Sequence, residues 1–181
     1  LEKKIIKKII LPTLNYLKKN NGTYIGFLYA GLMIKDNEPF LIEYNVRMGD
    51  PECQTILPLL ENDFLDLIEN CIKGNLQNIK LNWKRKKSIC IVLTSKGYPE
   101  KFDKNLLIQN IQNLNIGDNQ FLFHAGTKFS GENFYSNGGR VLNFVTIDEN
   151  FKLARERTLD LIRKLNWKKG HYRADIGFKV I

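Results

Sequence analysis

The chain has 181 residues, 43% of them hydrophobic, and a net charge of +9 at pH 7. That length predicts one large domain or two small ones with enough apolar material for a core, and no apolar run approaches the roughly 20 residues of a membrane-spanning helix. The positive charge raises nucleic acid as a partner, but Lys3, Lys4, Lys7, Lys8 and the run Lys84-Arg85-Lys86-Lys87 lack the interleaved aromatics of a stacking platform, so solvated surface is the expectation.

Residues 2–20 read as an amphipathic helix, with Ile5, Ile6, Ile9 and Ile10 on one side and the lysine pairs on the other. Pro12 is expected to kink or interrupt it, and Asn21-Gly22 to close it. Packing on a following sheet is favoured over a membrane surface, because strands begin at once. Residues 24–34 and 40–47 predict an antiparallel pair joined at Asp36-Asn37.

The second of these strands carries Glu43, Asn45 and Arg47 at alternate positions, hence on one face. A carboxylate and an amide oxygen are hard donors of the kind Mg²⁺ takes, and a guanidinium grips phosphate in a fork. Gly49-Asp50-Pro51-Glu52 then reads as a helix start, with Asp50 as N-cap and Pro51 at the first helical position. A free helix N-terminus beside an arginine suits an anion. From these residues alone, a Mg²⁺-phosphate site and the plain wet face of an amphipathic strand both stand.

A helix is predicted from residue 51 to about 73, broken near Pro58, recapped at Asn62 or Asp63 and ended at Gly74, with Leu65, Leu67, Ile68 and Ile72 as a buried face. The polar, basic stretch 74–87 predicts a domain boundary. Beyond it, strands are expected at 88–95, 121–129, 140–146 and 176–181. A Gly97-Tyr98-Pro99 turn, a loop over 130–139 and a long helix from 148 or 149 to 165 complete the pattern; Phe151, Ala154, Leu161 and Ile162 form the helix's core face. Asn137-Gly138-Gly139-Arg140 reads as a hairpin-type turn, and Gly126 as a place where backbone amides approach an anion. His124 is expected buried and hydrogen-bonded, and His171 exposed. Cys53, Cys71 and Cys90 lack metal spacing and predict core thiols in a reducing cytosol, with no covalent nucleophile among them. No signal peptide is visible, and residue 1 is Leu.

Several stretches in order resemble the phosphoribosylamine–glycine ligase family of ATP-grasp enzymes: Tyr24-Ile-Gly-Phe-Leu-Tyr-Ala-Gly-Leu-Met33, Glu43-Tyr-Asn-Val-Arg-Met-Gly-Asp-Pro-Glu-Cys-Gln54 and Ile56-Leu-Pro-Leu-Leu60. They continue with His124-Ala-Gly-Thr-Lys128, Asn137-Gly-Gly-Arg-Val-Leu142 and Tyr172-Arg-Ala-Asp-Ile-Gly177. The resemblance covers the whole chain but matches roughly the C-terminal half, or a little less, of a family member. It implies an α+β fold: residues 1–77 as the C-terminal subdomain of an ATP-grasp module (helix, antiparallel strands, helix), and 78–181 as a small β-rich C-terminal domain with one long helix.

The resemblance also implies a reaction, in which glycine, 5-phospho-β-D-ribosylamine and ATP give glycinamide ribonucleotide, ADP and phosphate in purine synthesis. Glu43 and Asn45 match the family's Mg²⁺ (or Mn²⁺) ligands, and Arg47 would steady the transferring phosphate. Asp50 and Glu52 would orient the glycine amine or cap the helix. Lys128, Gly138, Gly139, Arg140 and Arg173 would face the ribosylamine's phosphate or ribose, with an Arg173–Asp175 ion pair as the alternative for Arg173. Two departures are visible: residues 24–34 hold no further metal-binding acid, and Met48 stands where the family usually has an aromatic. The expected partners are small molecules, with neither nucleic acid nor membrane, in a cytoplasmic monomer or, failing that, dimer. The family's lid and adenine contacts would lie before Leu1, so the 181 residues by themselves are expected not to turn over. The competing readings are another ATP-grasp carboxylate–amine ligase and a non-catalytic scaffold domain of the same ancestry.

Overall fold

A computed structural model describes residues 1–20 and 22–181. Asn21, expected to help close the first helix, lies outside the described residues. The chain divides into two compact units, residues 1–49 with 62–81 and residues 50–61 with 82–181.

The first unit opens with helix α1 (Glu2–Ile5), a π turn (Ile6–Ile10) and helix α2 (Leu11–Asn20). Pro12 neither breaks nor ends this run. It has no N–H to continue the regular ladder, and the widened turn sits just before it, as π-bulges do where a helix absorbs a local defect. The helix docks on the sheet as expected. Lys4 and Lys8 both reach Glu38, at 2.5 and 2.6 Å, and the Thr13 hydroxyl meets the Tyr44 hydroxyl at 2.5 Å.

Strand β1 (Tyr29–Lys35) pairs antiparallel with β2 (Glu38–Asn45). Their turn holds Asp36 and Asn37 at φ 50 and 61, the left-handed pair that a two-residue hairpin needs. The strands are shorter than the sequence suggests, since residues 24–28 and Arg47 lie outside them.

Downstream, Asp63 caps helix α4 (Phe64–Ile72) by accepting from the Leu65 and Asp66 amides; its range and that of helix α3 (Glu52–Ile56) confirm the expected break at Pro58. Gly74, at φ +72, follows the end of α4. The expected buried face of this helix is corrected, because Leu65 is 65% and Ile72 67% exposed. Leu67 and Ile68 instead line an apolar groove of about 500 Å³ with Phe27 and Phe64. Of the apolar side chains described in this unit, only Ile9 and Pro39 are buried, so α4 has little core to face.

The second unit is built on a four-stranded antiparallel sheet ordered β4-β7-β3-β8: β3 (Lys87–Ser95), β4 (Gln120–His124), β7 (Arg140–Asp148) and β8 (Gly170–His171). Helix α5 (Phe151–Leu165) covers one face, started by Asn150, whose side chain accepts from the Leu153 amide. Ile91 pairs with Phe144 and Leu93 with Leu142, and all four pack with Ala154, Leu161, Ile162 and Leu165. β7 is central and almost wholly buried.

Residues 50–61, expected in the first domain, belong here. Leu60 bridges to Trp83, the Glu61 amide bonds the Asn82 carbonyl at 3.0 Å, and the Lys84 amide the Leu59 carbonyl at 2.8 Å. The later break falls between 81 and 82 rather than 77 and 78.

Three further expectations are corrected. The strand over 121–129 stops at His124 and resumes as β5 (Thr127–Ser130), because Ala125 and Gly126 turn back to bond Val141 and Arg140. The loop over 130–139 contains β6 (Asn133–Ser136), paired with β5. The final strand is absent among the described residues; Gly177 at φ +81 turns the chain into a short 3-10 helix, Phe178–Val180.

Candidate functional site

The candidate residues form two sets, one in each unit. In the first, Glu43 and Asn45 share a face, as the strand period requires, and the Asn45 amide donates to Glu43 Oε1 at 3.0 Å. Glu43 is exposed and Asn45 half-buried at the end of β2. Opposite Glu43 stands Gly31. A Cβ there would lie 3.0 Å from Glu43 Cγ, so the glycine makes the room in which the carboxylate crosses β1. Nothing in the sequence period marks Gly31; its cue is only a glycine inside a strand pattern.

Arg47 lies past the strand end, and its Nη1 donates to the Met48 carbonyl at 2.9 Å. Alternation therefore places Glu43 and Asn45 but does not extend to Arg47. Glu43 and Asn45 offer one carboxylate and one amide oxygen, which fits Mg²⁺, a cation that keeps several waters and is held by one or two carboxylates with substrate phosphates. No group of three or more His, Cys, Asp or Glu is arranged as a metal cage among the described residues.

In the second unit, Asp50 is not a helix cap. Pro51 holds the N-cap position with no side-chain bond, and α3 has only five residues, too few for a helix-terminal anion site. The reason is competition for the carboxylate. Arg140 Nη2 lies 2.9 Å from Asp50 Oδ2, Arg140 Nη1 donates to the Asp50 carbonyl at 3.0 Å, and Gln54 Nε2 donates to Oδ1 at 2.9 Å. Two residues singled out separately are thus brought together. Pro51, Arg140 and Arg173 also line one cavity of about 480 Å³, walled by Val92, Tyr98 and Tyr172. Arg173 forms a two-pronged pair with Asp175, at 3.1 and 2.7 Å. The hydrogen bonds between them raise the Arg173 pKa and lower that of Asp175.

Arg155, which carried no sequence signal, holds this segment from α5. Its Nε donates to the Ile176 carbonyl at 2.9 Å and its Nη2 to the Ala174 carbonyl.

The glycine-rich stretches serve packing. A Cβ on Gly126 would lie 2.6 Å from the Arg140 carbonyl oxygen and 2.8 Å from Gly138 Cα; one on Gly139 would enter the Tyr98 ring at 2.0 Å. The amides of Ala125, Gly126 and Thr127 all bond carbonyls, so the expected anion-binding amides are already engaged. Asn137–Arg140 is no hairpin turn either, since β6 pairs with β5, and β7 with β3 and β4. Lys128 is exposed on β5 and is not in the wall of the arginine-lined cavity.

His124 is exposed rather than buried. Its Nδ1 meets the Thr127 hydroxyl at 2.9 Å, its ring lies 4.8 Å from Phe134, and partial burial lowers its pKa. His171 is exposed, as expected. Burial, reinforced by the Asp50 and Glu52 charges, pushes the Cys90 thiol up to about 12, and burial also raises Cys53. These thiols stay protonated at neutral pH, which suits packing rather than nucleophilic attack.

Comparison with known proteins adds the decisive observation. Residues 88–179 match the C domain of phosphoribosylglycinamide synthetase, and residues 1–53 its ATP-grasp (A) domain. The chain belongs to the phosphoribosylglycinamide synthetase family. The phosphoribosylamine–glycine ligase of Fusobacterium nucleatum is 40% identical over 179 residues, 98% of this chain and 42% of that protein. The bifunctional purine biosynthetic protein purD of Dictyostelium discoideum is 36% identical over 97% of this chain and 23% of that protein. The crystal structure of phosphoribosylamine–glycine ligase from Thermotoga maritima superposes with a TM-score of 0.80 at 30% identity, covering 95% of this chain and 42% of that one. The chain thus spans about 42% of the length of such synthetase relatives, and its mixed helical and antiparallel α+β fold is the family's. No helix among the described residues is long and apolar enough to cross a membrane.

Proposed function

We propose that these residues form part of a cytoplasmic ligase that joins glycine to 5-phospho-β-D-ribosylamine at the expense of ATP. The observation that carries this reading is the similarity, over 98% of the chain, to a protein named phosphoribosylamine–glycine ligase. Glu43, Asn45 and Arg47 are all present in the chain, which favours a working ligase over a scaffold domain.

In the proposed reaction a glycine carboxylate oxygen attacks the γ-phosphorus of ATP. The bond to the bridging oxygen breaks, and ADP leaves with the electron pair. The ribosylamine nitrogen then attacks the carbonyl carbon of glycyl phosphate; a C–N bond forms, the C–O bond to phosphate breaks, and the amine loses a proton. Such chemistry depends on positioning and on neutralising charge. Glu43 and Asn45 would hold a divalent cation, Mg²⁺ or Mn²⁺, which draws charge from the phosphate oxygens. Arg47 would set the transferring phosphate by hydrogen-bond geometry.

In the second unit we assign the ribosyl phosphate to Arg173. Its pair with Asp175 is local, and the two side chains are 70% and 50% exposed, so exchanging one anion for another there costs little. Apolar walls around the guanidinium give the sugar a surface to lie on. Lys128 and Glu52 are the remaining candidates for phosphate and glycine amine.

The test is ADP release by the full-length parent with glycine and ribosylamine, supplied together and singly, in wild type and Glu43→Ala. Release that needs both substrates and falls about 100-fold or more in the variant is expected. Release with a different carboxylate or amine would replace the substrate assignment, and no ADP release at all would leave the scaffold reading.

A further inference from the structure

We propose that Asp50 and Arg140 act as one positioning pair, fixing the Pro51 wall of the arginine-lined cavity, rather than as two separate substrate ligands. This deepens the ligase reading and rests on it.

All three oxygens of Asp50 that can accept are engaged by this chain. Oδ2 and the carbonyl are taken by the two ends of one guanidinium, and Oδ1 by Gln54. A fork that grips a side chain and a main-chain oxygen of the same residue fixes both the backbone and the rotamer there. The two residues are 90 positions apart in the chain. Arg140 sits on a firm base, because its own carbonyl accepts from the Gly126 amide at 2.9 Å and the next residue, Val141, is fully buried. Pro51, directly after Asp50, shares the cavity wall with Arg140.

The contrast with Arg173 is what separates the two arginines. Arg173 grips a carboxylate two residues away and, among the described residues, no main-chain carbonyl, so a phosphate can take over its fork without moving any backbone. Arg140 cannot be turned to a ligand without releasing the start of α3. Removing either partner of the pair therefore loses the same geometry.

A kinetic double-mutant cycle in the full-length parent tests this, with Asp50→Asn, Arg140→Gln and both together. Each single variant and the double variant are expected to lower kcat by a similar factor, about tenfold, with the KM for glycine and for ATP within about twofold of wild type. Losses that multiply, or a rise in the ribosylamine KM confined to Arg140→Gln, would overturn the proposal and make Arg140 a substrate ligand. Amide hydrogen exchange of the same proteins gives a readout independent of turnover. Exchange over residues 52–56 is expected to quicken at least about tenfold in each single variant and no further in the double. Unchanged exchange would overturn the pair, whereas a parent that releases no ADP would overturn only the ligase reading. The Asp50 side chain is 42% accessible, so Asp50→Asn removes the charge without touching a buried core residue.

Discussion

Replacing Gly126 by alanine is expected to be among the most damaging single methyl additions in the second unit. The added carbon would lie 2.6 Å from the Arg140 carbonyl oxygen, 2.8 Å from Gly138 Cα and 3.0 Å from Gly138 N. Favourable contacts between such atoms lie at about 3.5–4.0 Å. All three neighbours are main chain, so no rotamer change relieves the clash. Overpacking of this kind costs about 1–3 kcal/mol. Separating the strands also strains two hydrogen bonds, from the Gly126 amide to the Arg140 carbonyl at 2.9 Å and from the Asn137 amide to the Gly126 carbonyl at 2.7 Å, each contributing about 1 kcal/mol. The expected loss is therefore about 3–5 kcal/mol, a large part of the roughly 5–15 kcal/mol of a typical domain. Gly131→Ala is the control. It has nothing within 4 Å but a φ of +53, so only backbone strain of about 1 kcal/mol applies. Both tryptophans, Trp83 and Trp167, lie in the second unit, so urea unfolding followed by tryptophan fluorescence reports that unit alone. A Gly126→Ala midpoint no lower than that of Gly131→Ala, at unchanged slope, would refute the reasoning.

Two predictions concern pH. Lys4 and Lys8 hold the Glu38 carboxyl down to about 2; a carbon-detected NMR titration should give a midpoint near that value, and Lys4→Ala with Lys8→Ala should return it to the ordinary range. Hydrogen bonds from Arg157 and then from the Glu149 amide lower the Asp148 pKa, and the Asp148 side chain is only 13% exposed. A depressed carboxylate stabilises the fold above its unfolded pKa and loses that contribution as pH falls through the folded one. Asp148→Asn should thus cost on the order of 1 kcal/mol at neutral pH, and its difference from wild type should vanish as pH drops below the usual carboxylate range. A gap in midpoint that does not narrow as pH falls would contradict this.

Where a local pattern carried enough chemistry, sequence and structure agree. Asp36-Asn37 makes the expected turn, Asp63 caps α4, Gly74 follows it, and α5 ends at Leu165 with Asn166 left-handed at φ 52. Each depends on a side chain acting on backbone within a few residues, which a linear reading captures. β3 and α5 were also legible, because both bury a periodic apolar face against each other. The same period misled for α4, whose apolar side meets a groove rather than a core.

By itself, then, the sequence determined the turns and caps and the shared face of Glu43 and Asn45, which follow from spacing along the chain, and its resemblance to a known family carried the family and the α+β pattern. Only the tertiary structure decided that Asp50 answers to Arg140 instead of capping a helix, that Gly126 must touch Gly138, that Arg155 holds the segment of Arg173, and that residues 50–61 belong with the second unit. Each of those depends on partners far apart in the chain. Their pairing is settled by how the strands and helices of the second unit pack together, and no local propensity encodes that choice.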